Sequence, residues 1–282
     1  FRERFIGYEI KTEKLVELNK LLKDRGIMIR HTKSLLKDTL PPKTRKPVIL
    51  PKPKGYQKEL NRLEAKYGEL AAPQLTMIRK WLAEEKVLDV TEYVQNIIDQ
   101  SETDKVLVFG NYKEATTKIG QNLKVVAING DTKFEERQPI IDKFQSDPNV
   151  KVLVMTVKTG NVGLNLVEAN HVVFNDYSYS PSDMMQAEAR IDRIGQTKPV
   201  TIHYMSAENT VDEDVIDLLT KKQNILNGII DGTPYTYDEK GIQQSVLDKL
   251  NAMMKSQKIQ KTRTAMFKQT LRQKEKVKTH KT

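Results

Sequence analysis

The apolar positions along the chain change period once, near residue 105, and that change divides it into two kinds of sequence. Residues 11–24 (KTEKLVELNKLLKD) set Leu15, Leu18, Leu21 and Leu22 at helical spacing and stop at Gly26, the pattern of an amphipathic helix. IMIRHTKSLLKDTLPPKTRKPVIL follows with a short apolar piece, a short helix, a Pro-Pro break and an extended run before Pro51. From Tyr56 to about Gln100 the spacing is helical again, interrupted near Ala71–Pro73. From Lys105 onward, short apolar runs (KVLVFG, KVVAIN, KVLVMTV, HVVFND and VTIHYM) alternate with helical segments. Continuous β-branched runs between helices are what a parallel sheet buried on both faces requires, so an α/β fold is expected. One more helix, VDEDVIDLLTKKQNILNGII, should run from Val211 to the stop at Asp231-Gly232-Thr233-Pro234. Beyond it, Lys/Gln-rich sequence with sparse apolar positions predicts a basic, partly helical or disordered extension.

Charge adds a second division. The 282 residues carry a net +10, but residues 1–55 hold fifteen Lys/Arg against six Asp/Glu, and residues 251–282 hold ten against one. The middle is therefore acidic, and the basic ends suit a polyanionic partner, because Lys and Arg at phosphates release condensed counterions. Solvated helices and a plain tail would carry the same charge. No run of about eighteen apolar residues occurs, so no membrane span is expected and the chain reads as intracellular. There are no cysteines, and His31, His171, His203 and His280 are scattered, which argues against zinc.

Two stretches could carry chemistry. Thr156-Val157-Lys158-Thr159-Gly160-Asn161-Val162-Gly163-Leu164-Asn165-Leu166 follows the strand KVLVM. A Gly-containing turn there puts backbone N–H groups at the sheet edge where α/β proteins bind ligands, although glycines also serve such turns for backbone reasons alone. Gln186-Ala187-Glu188-Ala189-Arg190-Ile191-Asp192-Arg193-Ile194-Gly195-Gln196 follows Ser180-Pro181-Ser182-Asp183. It is expected on a helix starting at Ser182 or Asp183 and stopping at Gly195, with Arg190 and Arg193 on one face. Two adjacent guanidiniums suit an anion between them; the alternative is an exposed pair braced by Glu188 and Asp192.

Read in order, KVLVFGNY, AINGDT, the Gly-containing turn, HVVFND, QAEARIDRIGQ and VTIHYMSAENTVDE resemble the second RecA-like lobe of superfamily-two helicases. More narrowly they resemble the Swi/Snf branch, with its QAxxRxxRIGQ motif, and IMIRHTKSLLKDTLPPK is similar to that family's segment between the lobes. The resemblance covers residues 11–232, and Asn161-Val162-Gly163-Leu164 points toward the annealing-helicase branch. His31, Asp192 and Tyr179 depart from the usual Arg, His and Trp.

The resemblance implies residues 1–70 as the end of a first lobe with a helical linker or protrusion, 71–232 as the second RecA-like lobe, and 233–282 as the C-terminal extension. It implies a DNA-dependent ATPase, helicase or translocase using ATP with Mg2+, held mainly by a first lobe. Arg190 and Arg193 would be the catalytic arginines. Gly160, Asn161, Gly163, Asn165 and Gln186 would face the nucleotide, and Thr156, Lys158, Asn111 and Gly130 the nucleic acid. Partners would be that first lobe and double-stranded or branched DNA, with no membrane and no indicated oligomer. The protein would sit in the cytoplasm, at a nucleoid or in a virus-infected host cell, or in the nucleus of a eukaryote.

A phosphoryl-transfer motor needs a G-x-x-x-x-G-K-S/T loop and an acidic pair for magnesium. This sequence has no Gly-Lys dipeptide and no Asp-Glu-x-His run, and it starts at Phe1 rather than Met, so it reads as part of a longer chain, inactive alone. A catalytically silent nucleic-acid-binding module is the competing expectation. A dinucleotide-dependent enzyme is disfavoured, because no G-x-G-x-x-G turn occurs.

Overall fold

A computed structural model describes residues 9–10, 12–26, 40–160, 164–216 and 237–238. Its centre is a six-stranded sheet in which every neighbouring pair is parallel. The strands are β2 (Lys43–Leu50), β3 (Val106–Gly110), β4 (Ala127–Ile128), β5 (Val152–Thr156), β6 (His171–Phe174) and β7 (Val200–Ala207). Their order across the sheet is β2-β7-β6-β3-β5-β4. A two-residue β1 (Glu9–Ile10) pairs antiparallel with β8 (Tyr237–Asp238).

The apolar runs form central strands because both of their faces are covered. In β3, Leu107 and Phe109 join a cluster with Leu153, Met155, Val172, Phe174 and Ile202. Val106 and Val108 turn the other way, toward Val152, Val154, Val173 and Met205. Alternate residues thus feed two cores, as the two-residue period of a strand dictates. Helices α3 (Ala72–Glu85), α4 (Val87–Gln100) and α5 (Lys113–Asn122) supply Ala83, Val87, Val90, Val94, Ala115 and Ile119 to the second core. Helices α6 (Phe134–Ser146) and α8 (Pro181–Glu188), with the turn α7 (Val157–Gly160) between them in sequence, cover the first with Ile141, Phe144, Val157, Met184 and Ala187. Burying such side chains stabilises each by roughly 1.5–3 kcal/mol, which is why these runs hold their places. The expected parallel sheet with helices on both faces is the fold the chain adopts.

Residues ahead of position 71 also build this body. β2 pairs with β7 over eight positions, from Lys43↔Val200 to Leu50↔Ala207. Helix α2 (Tyr56–Tyr67) sends Tyr56, Leu60 and Leu63 into a third cluster with Leu75, Ile78, Leu82 and Val211. Helix α1 (Thr12–Asp24) ends before Gly26 at φ +66°, as its spacing predicts. A helix starts at 211; its expected course beyond 216, the segment 27–39, and the basic tail apart from 237–238 lie outside the described residues.

Candidate functional site

The helix that carries the QAEAR sequence stops earlier than its composition predicts. α8 begins at Pro181, whose fixed φ suits a first helical position, and Ser180 is the cap, its hydroxyl accepting from the Asp183 N–H at 3.4 Å. It ends at Glu188, so Arg190 and Arg193 lie in the turn that follows rather than on one helix face. That turn is fixed by tertiary bonds. The Leu166 N–H donates to the Arg190 carbonyl at 3.0 Å, and Arg190 Nη1 donates to the Leu164 carbonyl at 3.3 Å. Buried Gln196 closes it, donating to the carbonyls of Ala169 and Ile191 at 2.8 and 3.1 Å. Gly195 sits at φ +103°, a backbone region that side chains disfavour.

Arg190 is 4% exposed and Arg193 half-buried, with Arg193 Nε donating to the Ala189 carbonyl at 2.8 Å. Burial first, and the Arg193 charge second, lower the Arg190 pKa from its ordinary value. Each guanidinium therefore raises the electrostatic energy of the other, the condition under which a shared anion gains most. The brace expected from Glu188 and Asp192 is redirected. Arg45 donates to both oxygens of Glu188, and Lys43 donates to Asp192 at 2.8 Å. Asp192, one of the departures from the family pattern, is thus matched to a lysine on β2.

The structure brings the end of the Gly-containing turn against Arg190 through Leu164 and Leu166. Gly160 has a packing reason to be small: a Cβ there would lie 2.6 Å from the Phe109 ring. Asn165 is exposed and its carbonyl accepts from Gln145 at 2.8 Å; Gln186 is exposed on α8. Asn161 and Gly163 lie outside the described residues. The four nucleic-acid candidates follow the C-terminal ends of three neighbouring strands, on a common edge. Asn111 follows β3 and its N–H donates to Asp176 Oδ2 at 2.7 Å. Gly130 is exposed after β4. Thr156 ends β5 with a buried hydroxyl bonded to that of Thr159 at 2.8 Å, and Lys158 next to it is exposed.

Sequence reasoning missed a buried ionic cluster beside that edge. Lys86, 1% exposed, donates to Asp212 and to the carbonyls of Asn175 and Met205, using all three ammonium protons. Asn175 Nδ2 donates to Asp176 Oδ1 at 2.9 Å, so the cluster continues to Asn111. Burial raises the Asp176 pKa from the ordinary carboxylate value. Arg79 donates to the Tyr177 carbonyl and lies 4.0 Å over the ring of Tyr179, another departure position. The available signal was Lys86 on the buried stripe Leu82, Lys86, Val90, Val94, where an apolar residue belongs. Asp212, at the start of the helix that begins at 211, is buried as the partner of Lys86.

An all-parallel sheet sheathed by helices, with two arginines in a tied-down turn before β7, defines a RecA-like lobe. Residues 89–195 match the family model described as helicase conserved C-terminal domain. The chain is 32% identical over 234 residues to "DNA annealing helicase and endonuclease ZRANB3" of Mus musculus, covering 77% of this chain and 22% of that protein. It is 33% identical over 222 residues to the "SWI/SNF-related matrix-associated actin-dependent regulator of chromatin subfamily A-like protein 1" of Xenopus tropicalis, covering 73% and 23%. The solved structure "Sulfolobus solfataricus SWI2/SNF2 ATPase core in complex with dsDNA" shares the fold with a TM-score of 0.54 at 23% identity, covering 80% of this chain and 53% of that one. The chain belongs to the Swi/Snf helicase family and carries its C-terminal helicase domain. It spans about a fifth of the length of these two relatives, 22% and 23%.

Proposed function

We propose that these residues form the second motor lobe of a DNA-dependent ATPase and translocase, whose phosphate-gripping loop lies on another lobe. The arginine turn carries this reading. A buried guanidinium that feels the charge of a second one, and is tied to the segment between α7 and β6 through Leu164 and Leu166, is a donor set that fits a terminal phosphate. ATP, when bound, supplies the phosphoryl group whose developing charge such arginines stabilise. Arg190 and Arg193 would hold that charge, and Gln186 and the turn from Gly160 to Asn165 would line the same cleft. Magnesium would be held with the phosphates by the gripping lobe.

Family membership supports ATP as the nucleotide. The Sulfolobus ATPase core was solved in complex with double-stranded DNA, and the mouse relative is named for DNA annealing; both support double-stranded or branched DNA as the track. Exposed Lys158, Gly130 and the Asn111 turn would meet its backbone without reading sequence. Thr156 would act through its backbone, since its hydroxyl is engaged by Thr159.

The test is direct. The 282-residue chain should bind duplex DNA with a steep salt dependence and hydrolyse no ATP; joined to a P-loop lobe, it should show DNA-stimulated hydrolysis. DNA binding without hydrolysis in the joined protein would leave the silent binding module as the reading.

A further inference from the structure

The carboxylates flanking Arg190 belong to a cluster built by β2. Glu188 is the last residue of α8 and its side chain is 4% exposed. Arg45 Nε donates to its Oε1 at 2.9 Å, Arg45 Nη2 to its Oε2, the Tyr204 hydroxyl to its Oε1, and Lys43 Nζ to its Oε2 at 3.5 Å. The same Lys43 Nζ donates to Asp192 Oδ2 at 2.8 Å, where the aspartate side chain is 8% exposed. The acids two residues before and two residues after Arg190 are therefore both held by one strand. Burial alone would raise the Glu188 pKa, but the forked bonds and charge of Arg45 prevail and hold it below the usual value.

The asymmetry of this cluster is informative. The carboxylates are buried, whereas the Lys43 and Arg45 side chains are 26% and 54% exposed. Water would solvate those cations wherever they pointed, so their placement serves the acids and, through them, the turn. β2 has little freedom of its own, being registered to β7 from Lys43↔Val200, and the Val200 N–H also donates to the Pro42 carbonyl at 2.9 Å. Leu40-Pro41-Pro42 leads into β2 from the segment that resembles the connection between motor lobes. β2 meets the arginine turn through four hydrogen bonds, from Lys43 and Arg45 to Glu188 and Asp192, and the Tyr204 hydroxyl on β7 adds a fifth.

We propose that Lys43 and Arg45, acting through Asp192 and Glu188, are positioning residues for Arg190. The inference rests on the motor reading above.

The experiment uses these 282 residues joined to a P-loop lobe and measures DNA-stimulated ATP hydrolysis. Lys43→Glu and Asp192→Lys should each lower kcat about ten- to a hundredfold, the scale of a misplaced catalytic group, with KM for ATP changed by less than about threefold. The double exchange should restore most of the rate. In an Arg190→Ala background, Lys43→Glu should cause no further loss, which an ion pair acting only on stability would not produce. Thermal melts of each variant identify any that fails to fold, and Arg45→Gln then takes its place in the same series. Full kcat in Lys43→Glu, Asp192→Lys and Arg45→Gln, alongside an inactive Arg190→Ala, overturns this proposal and leaves the motor reading standing. An active Arg190→Ala instead sinks the motor reading.

Discussion

Two ionic clusters are built to different specifications, one beyond the ends of β6 and β7 and one around the start of β2. Near the C-terminal strand ends, Lys86 and Asp212 are 1% and 4% exposed, and every proton of the ammonium is matched. Around the start of β2, buried Glu188 and Asp192 are held by cations that remain partly in water. The first arrangement has one low-energy geometry, since any movement strands a charge in apolar surroundings. The second can shift, because its cations keep their hydration as they move. In the motor proposed above, the lobe that grips a track while its arginines respond to a nucleotide would use both kinds. The rigid cluster underlies the Asn111 turn, and the adjustable one underlies Arg190.

The largest expected effect breaks the rigid end. Lys86→Met leaves Asp212 buried without its counter-charge and should lower stability by about 3–5 kcal/mol in urea unfolding, with Lys86→Met/Asp212→Asn recovering part of it. At the other end, Arg45→Ala leaves Glu188 with Lys43 and Tyr204 and should lose less, about 1–3 kcal/mol in the same assay. Equal losses at the two ends would erase the distinction.

A smaller effect comes from protons. His203 is bonded to His171 at 2.9 Å and to the Tyr93 hydroxyl at 3.0 Å; Asp104 lies 3.5 Å beyond His171, and Lys46 on β2 adds its charge. Burial, then His171 and Lys46, push the His203 pKa from 6.5 down to about 3. The unfolded chain takes up a proton near the ordinary value that the folded chain refuses. This stability is therefore complete above about pH 6.5 and declines as pH falls toward about 3. Thermal melts should drop by several degrees between roughly pH 7 and pH 5, and His203→Phe should flatten that slope. The smallest effect is at the surface: Arg62→Ala removes a solvent-facing pair with Glu59, and no change in the melting curve is expected.

How much of this was legible follows from where each contact is made. β3 and β5 were plain in KVLVFG and KVLVMTV, because a strand covered on both faces must be apolar at every position. β2 was legible as an extended run before Pro51 but not as a member of the sheet, because KTRKPVIL is an edge strand, exposed over Lys43–Pro47, whose polar residues resemble a linker. The arginines were visible as residues but not in their setting. The helix was expected to run on to Gly195, whereas the bonds of Arg190 to Leu164 and Leu166, 26 and 24 residues away, turn the chain after Glu188. Lys86 and Asp212, 126 residues apart, meet only in the folded chain.

The central claim is that this lobe supplies arginines to a phosphoryl-transfer site. The most direct measurement is single-turnover ATP hydrolysis on DNA by these residues joined to a P-loop lobe, with Arg190→Ala compared against the parent. The expected result is a loss of about a thousandfold or more in the hydrolysis step with ATP binding largely retained, because such an arginine acts mainly on the transition state. An unchanged hydrolysis step in Arg190→Ala would contradict the account.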